Sequence, residues 1–216
     1  MMNNLFSVFD PCTGFMSMNW ISSFIFLIMM PNKMWFLQNK TSFITKYMLK
    51  TLNSEMNMLM KHKGTNLISI SLFTLIMWNN LMGLLPHVFT SPAHLIFSLA
   101  MALPLWLSLM MYGWIKKTNS MFCHLVPTGT PSILMPFMVM IETISNIIRP
   151  GSLAVRLTAN MIAGHLLMSL LGNNNSTMML SMLMITFMML MMFELAVAMI
   201  QSYVFMTLMT LYSSEI

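Results

Sequence analysis

The chain has 216 residues, 57% of them hydrophobic and only 7% charged, with a mean hydropathy of +0.76. Soluble domains carry about 25% charged residues, so this composition excludes one and predicts a single all-α integral membrane domain over 1–216. The net charge of +5 lies mostly in two lysine patches, Lys33, Lys40, Lys46, Lys50, Lys61 and Lys63, then Lys116 and Lys117, which reads as positive-inside topology and excludes nucleic acid as a partner.

Residues 1–14 read as a solvated terminus. Residues 1–32 hold no Lys or Arg, which argues against an Arg-rich transit peptide and against a basic signal-peptide start. Residues 15–31 are predicted as one amino-terminal transmembrane helix, short for a span and ended by Pro31. Over 41–62, Phe43, Ile44, Tyr47, Met48, Leu52, Met56 and Leu59 fall near helical spacing, with Lys46, Lys50, Asn53 and Asn57 opposite. That pattern predicts an amphipathic helix lying on the membrane surface.

Residues 67–85 and 93–115 are predicted as a transmembrane hairpin, with Pro104 as a kink and Lys116-Lys117 returning the chain to the first lysine side. Residues 118–132, with Pro127, Gly129 and Pro131, read as a loop. The last two segments, 133–171 and 177–212, are each far longer than the roughly 20 residues a span needs. Either each breaks into shorter spans or both cross steeply tilted, joined around Gly172–Asn175. Pro150-Gly151 is the one strong break in the first, and the second contains neither Gly nor Pro.

Within these apolar segments stand Glu142, Arg149, Arg156, His165 and Glu194. An ionisable side chain at bilayer depth costs about 2.5–3.5 kcal/mol on insertion scales and by default marks an ion or substrate path. At about 100° per residue, Glu142 and Arg156 lie within about 40° of one face, Asn160 about 40° to the other side, and His165 opposite. Gln201, seven residues past Glu194, shares its face. Glutamate and histidine take up and release protons, whereas a guanidinium keeps its charge and can only attract an anion or block a cation. A lone Glu194 can also sit neutral and hydrogen-bonded, and Arg149 reads equally well as a structural charge. His62, His87, His94 and His124 lie at or beyond the edges of the apolar spans and suit interfacial positions. Cys12 and Cys123 lack ligand spacing. There is no phosphate-binding glycine loop and no H-E-x-x-H site, so neither cofactor nor metal is expected.

The runs E-T-I-S from Glu142 and L-A-V-R-L-T-A-N-M-I-A-G-H-L-L from Leu153 resemble the subunit a family (ATPase subunit 6) of the mitochondrial ATP synthase membrane sector. N-L-M-G-L-L-P-H-V-F-T, A-L-P-L-W, P-T-G-T-P and E-L-A-V-A-M-I-Q-S-Y-V-F extend the likeness over nearly the whole chain. The resemblance implies a multi-pass stator of the mitochondrial inner membrane, with no catalytic site of its own, feeding protons through two offset half-channels to a rotating c-ring. Arg156 matches the family's essential fixed charge facing the ring carboxylate, with Asn160 and Gln201 its polar neighbours. His165 and Glu194 match the half-channel open to the intermembrane space, and Glu142 the matrix half-channel. The c-ring, other membrane-sector and peripheral-stalk subunits and the lipid bilayer are the implied partners. By the same analogy the two long helices are tilted rather than broken. The competing expectation is a self-contained ion channel or secondary transporter, for which no internal repeat is visible.

Overall fold

The structure, a computed structural model, describes residues 5–12, 16–30, 39–59, 63–85, 88–126, 129–173 and 180–215. Lys33, Lys61, His62, His87 and most of the expected turn after Gly172-Asn173 therefore lie outside the described residues. Every regular element among them is helical. Short 3-10 helices cover Leu5–Phe9, Met18–Phe24 and Ser91–Ala93. The α-helices are α1 (Ile25–Met29), α2 (Lys40–Leu59), α3 (Lys63–Gly83), α4 (Leu95–Lys116), α5 (Thr118–Leu125), α6 (Met135–Asn173) and α7 (Leu180–Glu215).

α6 and α7 are continuous over 39 and 36 residues, about 58 and 54 Å at 1.5 Å per residue. Pro150 does not break α6. It removes the donor to the carbonyl of residue 146, yet the helix runs on through it, and Asn146 borders a cavity. Three helices among the described residues, α4, α6 and α7, are long and apolar enough to cross a membrane. The sequence pattern predicts five spans. α3 has the length, but Asn66, Asn79 and Asn80 lower its hydropathy, and all three are buried. The first expected span is helical over Met18–Met29, half of it wound as 3-10 helix, which is short of the roughly 20 residues a crossing takes. The expected loop at 118–132 is also corrected, because Thr118–Leu125 forms α5. It starts directly after Lys117, whose carbonyl accepts from the Ser120 hydroxyl at 2.7 Å.

α3 packs on α7, α4 on α6, and α6 on α7. The core where they meet is Ile76, Ala102, Leu153, Ala154, Leu157, Phe205 and Met209. On α6 the buried positions Pro150, Leu153, Ala154, Leu157, Met161, Gly164 and Met168 recur every three or four residues, so one stripe faces inward. Outward-facing positions are apolar too: Ile144, Ile147 and Ile148 on α6, and Met188, Met189, Met192 and Phe193 on α7, are all exposed. The polar residues go inside instead, Asn80, Thr90, Glu194, Ser202 and Thr210 among them. This inversion suits lipid as the surrounding solvent. Helix hydroxyls close on their own backbone, as Ser98 does on the Leu95 carbonyl at 3.0 Å and Ser202 on that of Met199 at 2.7 Å.

Small residues set how closely α4 and α6 approach, since Ala102 and Ala154 are both 0% exposed. Replacing Ala102 with Leu overpacks this contact and should destabilise the fold by about 1–3 kcal/mol, read as a lower melting temperature in detergent. The adjacent, exposed Leu103 is the control, and L103A should cost less. Equal melting of A102L and the parent chain would contradict this packing.

Candidate functional site

Glu142, Arg149 and Glu194 of α6 and α7 fall into two polar regions separated along α6. The first is a cavity of about 340 Å³ bordered by α4, α5, α6 and α7. Glu142, Asn146 and Arg149 reach it from α6, His124 from α5, Trp106 from α4 and Tyr212 from α7. Glu142 and Arg149 are seven residues apart, two turns on one face, and pair at 3.6 Å. The Arg149 guanidinium also lies 5.0 Å from the centroid of the Tyr212 ring, a cation–π contact that ties α6 to α7. Arg149, to which the sequence reading gave no role, is thus the partner of Glu142. The seven-residue spacing was its signal.

The second region lies 22 residues further along α6, about 33 Å away at 1.5 Å per residue. Glu194 is 6% exposed. It packs against Gly164 so closely that a Cβ added there would overlap its carboxyl group. Asn160, Gln201 and Asn80 share a small void of about 10 Å³ with it. Asn80 donates from Nδ2 to the Ala198 carbonyl at 3.4 Å, while its Oδ1 is buried without a hydrogen bond. The structure therefore brings Glu194, Asn160 and Gln201 together and adds Asn80 and Gly164. Asn80 was legible as an amide in an apolar run. Gly164 was legible only as the small residue beside His165.

His165 is near this group but turned from it. Its ring meets Phe9 edge-on, with centroids 6.1 Å apart, and contacts the Gly83 backbone. It makes no ion pair with Glu194 among the described residues. His165 Nε2 is buried without a hydrogen bond, and so are Thr90 Oγ1 and His94 Nε2. Thr90 and His94 sit in the α3–α4 connection, where the His94 ring stacks on Phe89 at 5.1 Å and lies 5.3 Å from Trp20. Buried polar atoms without partners are rare and ordinarily meet water or a mobile proton.

Arg156 belongs to neither region. It is exposed on α6 between them, about 21 Å past Glu142 and 12 Å before Gly164 along the axis. Among the described residues it has no hydrogen bond or ion pair. Of its exposed neighbours, Ser152, Ala159 and Ala163 are small and Val155 is apolar. Among those residues, too, no three His, Cys, Asp or Glu side chains converge as a metal site would require. Cys12 and Cys123 are free and exposed.

The profile of the ATP synthase A chain family matches residues 13–214. Chains named ATP synthase subunit a from Drosophila simulans and Aedes albopictus are each 57% identical over 225 aligned positions, covering all of both chains. The one from Anopheles gambiae is 56% identical with the same coverage.

Gly164→Ala tests the geometry around Glu194. The displaced atoms are the free end of a flexible side chain, so stability should change by no more than about 1 kcal/mol. A structure of the variant should show the carboxyl group moved and the α6–α7 spacing kept. A carboxyl group held in place by separated helices would contradict this.

Proposed function

Since the chain belongs to the ATP synthase A chain family, we infer that Arg156 is the fixed charge separating two proton paths, on the two sides of α6, that serve a rotating c-ring. The chain is a proton-translocating subunit of the membrane sector of an F-type ATP synthase, and it has no catalytic site of its own. The location inferred is the mitochondrial inner membrane, crossed several times, with α2 on the surface, α3 and α4 as a hairpin, and α6 and α7 tilted around the ring.

The observation that carries this reading is an exposed guanidinium without a partner among the described residues, on a helix face that carries no other charge near it. A charge so placed is expensive in lipid unless another chain supplies an anion. The small side chains of Ser152, Ala159 and Ala163 leave room for a partner helix to approach. A ring carboxylate is the matching group.

Protons enter through the region of His94, Thr90, His165 and Glu194, where Thr90 Oγ1, His94 Nε2 and His165 Nε2 are buried without partners among the described residues. They neutralise a ring carboxylate, which can then turn through lipid. After nearly a full rotation the carboxyl group faces the other cavity and gives up its proton toward Glu142. The Arg156 charge stabilises the anion left behind and repels any proton crossing directly between the two paths. Each proton falling through 100 mV contributes about 2.3 kcal/mol. Asn160 and Gln201 keep the environment beside the ring polar.

A self-contained channel needs one continuous route, yet the two cavities share no lining residue. Arg156→Lys discriminates further. Lysine keeps a positive charge but lacks the planar fork and can lose its proton when desolvated. Proton-driven ATP synthesis in vesicles holding the assembled complex should fall at least about tenfold. Activity near the parent level would reduce Arg156 to a generic cation.

A further inference from the structure

A separate groove lies where Met30, just past α1, meets facing stripes of α2 and α3 and encloses about 940 Å³. None of its lining residues belongs to either proton path. We propose that it binds one phospholipid whose head group combines a phosphate with a hydrogen-bond donor.

The polar end supplies both halves of that requirement. Lys50 of α2 is exposed and offers an ammonium to the phosphate, flanked by the amides of Asn53 and Asn57. Asn66 of α3 is 2% exposed, and its Nδ2 donates to Asn57 Oδ1 at 2.6 Å. Its Oδ1 is buried without a hydrogen bond among the described residues. A buried acceptor of this kind calls for a donor. The phosphate has none and neither does choline, whereas the ammonium of ethanolamine or the hydroxyls of glycerol do.

The remainder of the groove suits acyl chains. It runs along the first turns of α3, past Leu67 and Ile70, with Met30 opposite. Ser71 and Thr74 also line it, but their hydroxyls donate to the Ile68 and Ser71 carbonyls at 2.8 Å each, so they present carbon to an occupant. One occupant must therefore be anionic, donating and apolar at successive positions. A transmembrane helix from another subunit offers mainly the last property, whereas an amphiphile offers all three. The exposed apolar face of α2, with Phe43, Ile44, Tyr47 and Met48, sets this mouth at the level of lipid head groups.

The test is native mass spectrometry of the intact detergent-solubilised complex, relipidated in turn with phosphatidylethanolamine, phosphatidylglycerol and phosphatidylcholine. The first two should be retained at least about fivefold over the third, as expected for one added hydrogen bond and its conversion to affinity. Lys50→Glu should remove that retention, while Lys116→Glu, in the other lysine patch and outside the groove, should keep it. Lys50 is exposed, so loss of folding does not confound its variant. A photoreactive side chain at position 53 should form an adduct of lipid mass. Equal retention of the choline lipid, retention unchanged in K50E, or an adduct to another polypeptide would overturn the proposal.

Discussion

A guanidinium without a carboxylate among the described residues is the constraint on which the rest of this structure turns. Arg156 sits on an exposed helix face whose neighbours are small or apolar, and α6 carries it between two polar regions. Glu142 lies about 21 Å back along α6, too far to neutralise it, and is engaged with Arg149, which in turn lies against Tyr212. Glu194 could have done so from α7, but it is packed inward on Gly164. Neither Glu142 nor Glu194 reaches this charge. The charge therefore remains available to another chain.

The packing that enforces this is inverted relative to a soluble protein. Isoleucines and methionines cover the outside, while amides, hydroxyls and a carboxyl group are gathered inside. Burying apolar surface gives little drive for helix association in lipid, so close contact at Ala102 and Ala154 and local satisfaction of hydroxyls take over. Of the buried polar atoms without a partner among the described residues, those of Thr90, His94 and His165 lie at the α3–α4 connection and on α6, where water has reason to enter, and Trp106 Nε1 belongs to a residue lining the Glu142 cavity. The length of α6 lets one rigid element present both polar regions and the cation between them.

Much of this was legible in the sequence because charges are rare in an apolar chain. Glu142, Arg156, His165 and Glu194 stood out for that reason, and the seven-residue interval from Glu194 to Gln201 put both on one face. The continuity of α6 was open from the residues alone, since Pro150-Gly151 is a break candidate, and only the family resemblance pointed to an unbroken helix, which α6 is. The pairing of Glu142 with Arg149 was present in the spacing, but nothing in a linear pattern says which of two arginines a carboxylate takes. Gly164 and Asn80 depend on how α3, α6 and α7 meet, and that is a property of packing. α5 was missed because its eight residues are few and run on toward Pro127, Gly129 and Pro131, which mark a loop.

The most direct test of the central claim asks what faces Arg156. In the assembled complex, a cysteine replacing Ala159, one turn along the exposed face, would be paired with a cysteine one turn from the ring carboxyl group and oxidised. Rapid disulfide formation between this chain and a c subunit is the predicted result, with no such product from a cysteine at Met140, which is exposed on the same helix further toward its start. If position 159 never joins the ring and is reached only by lipid-soluble thiol reagents, Arg156 faces lipid and the account of a fixed charge guarding two paths is contradicted.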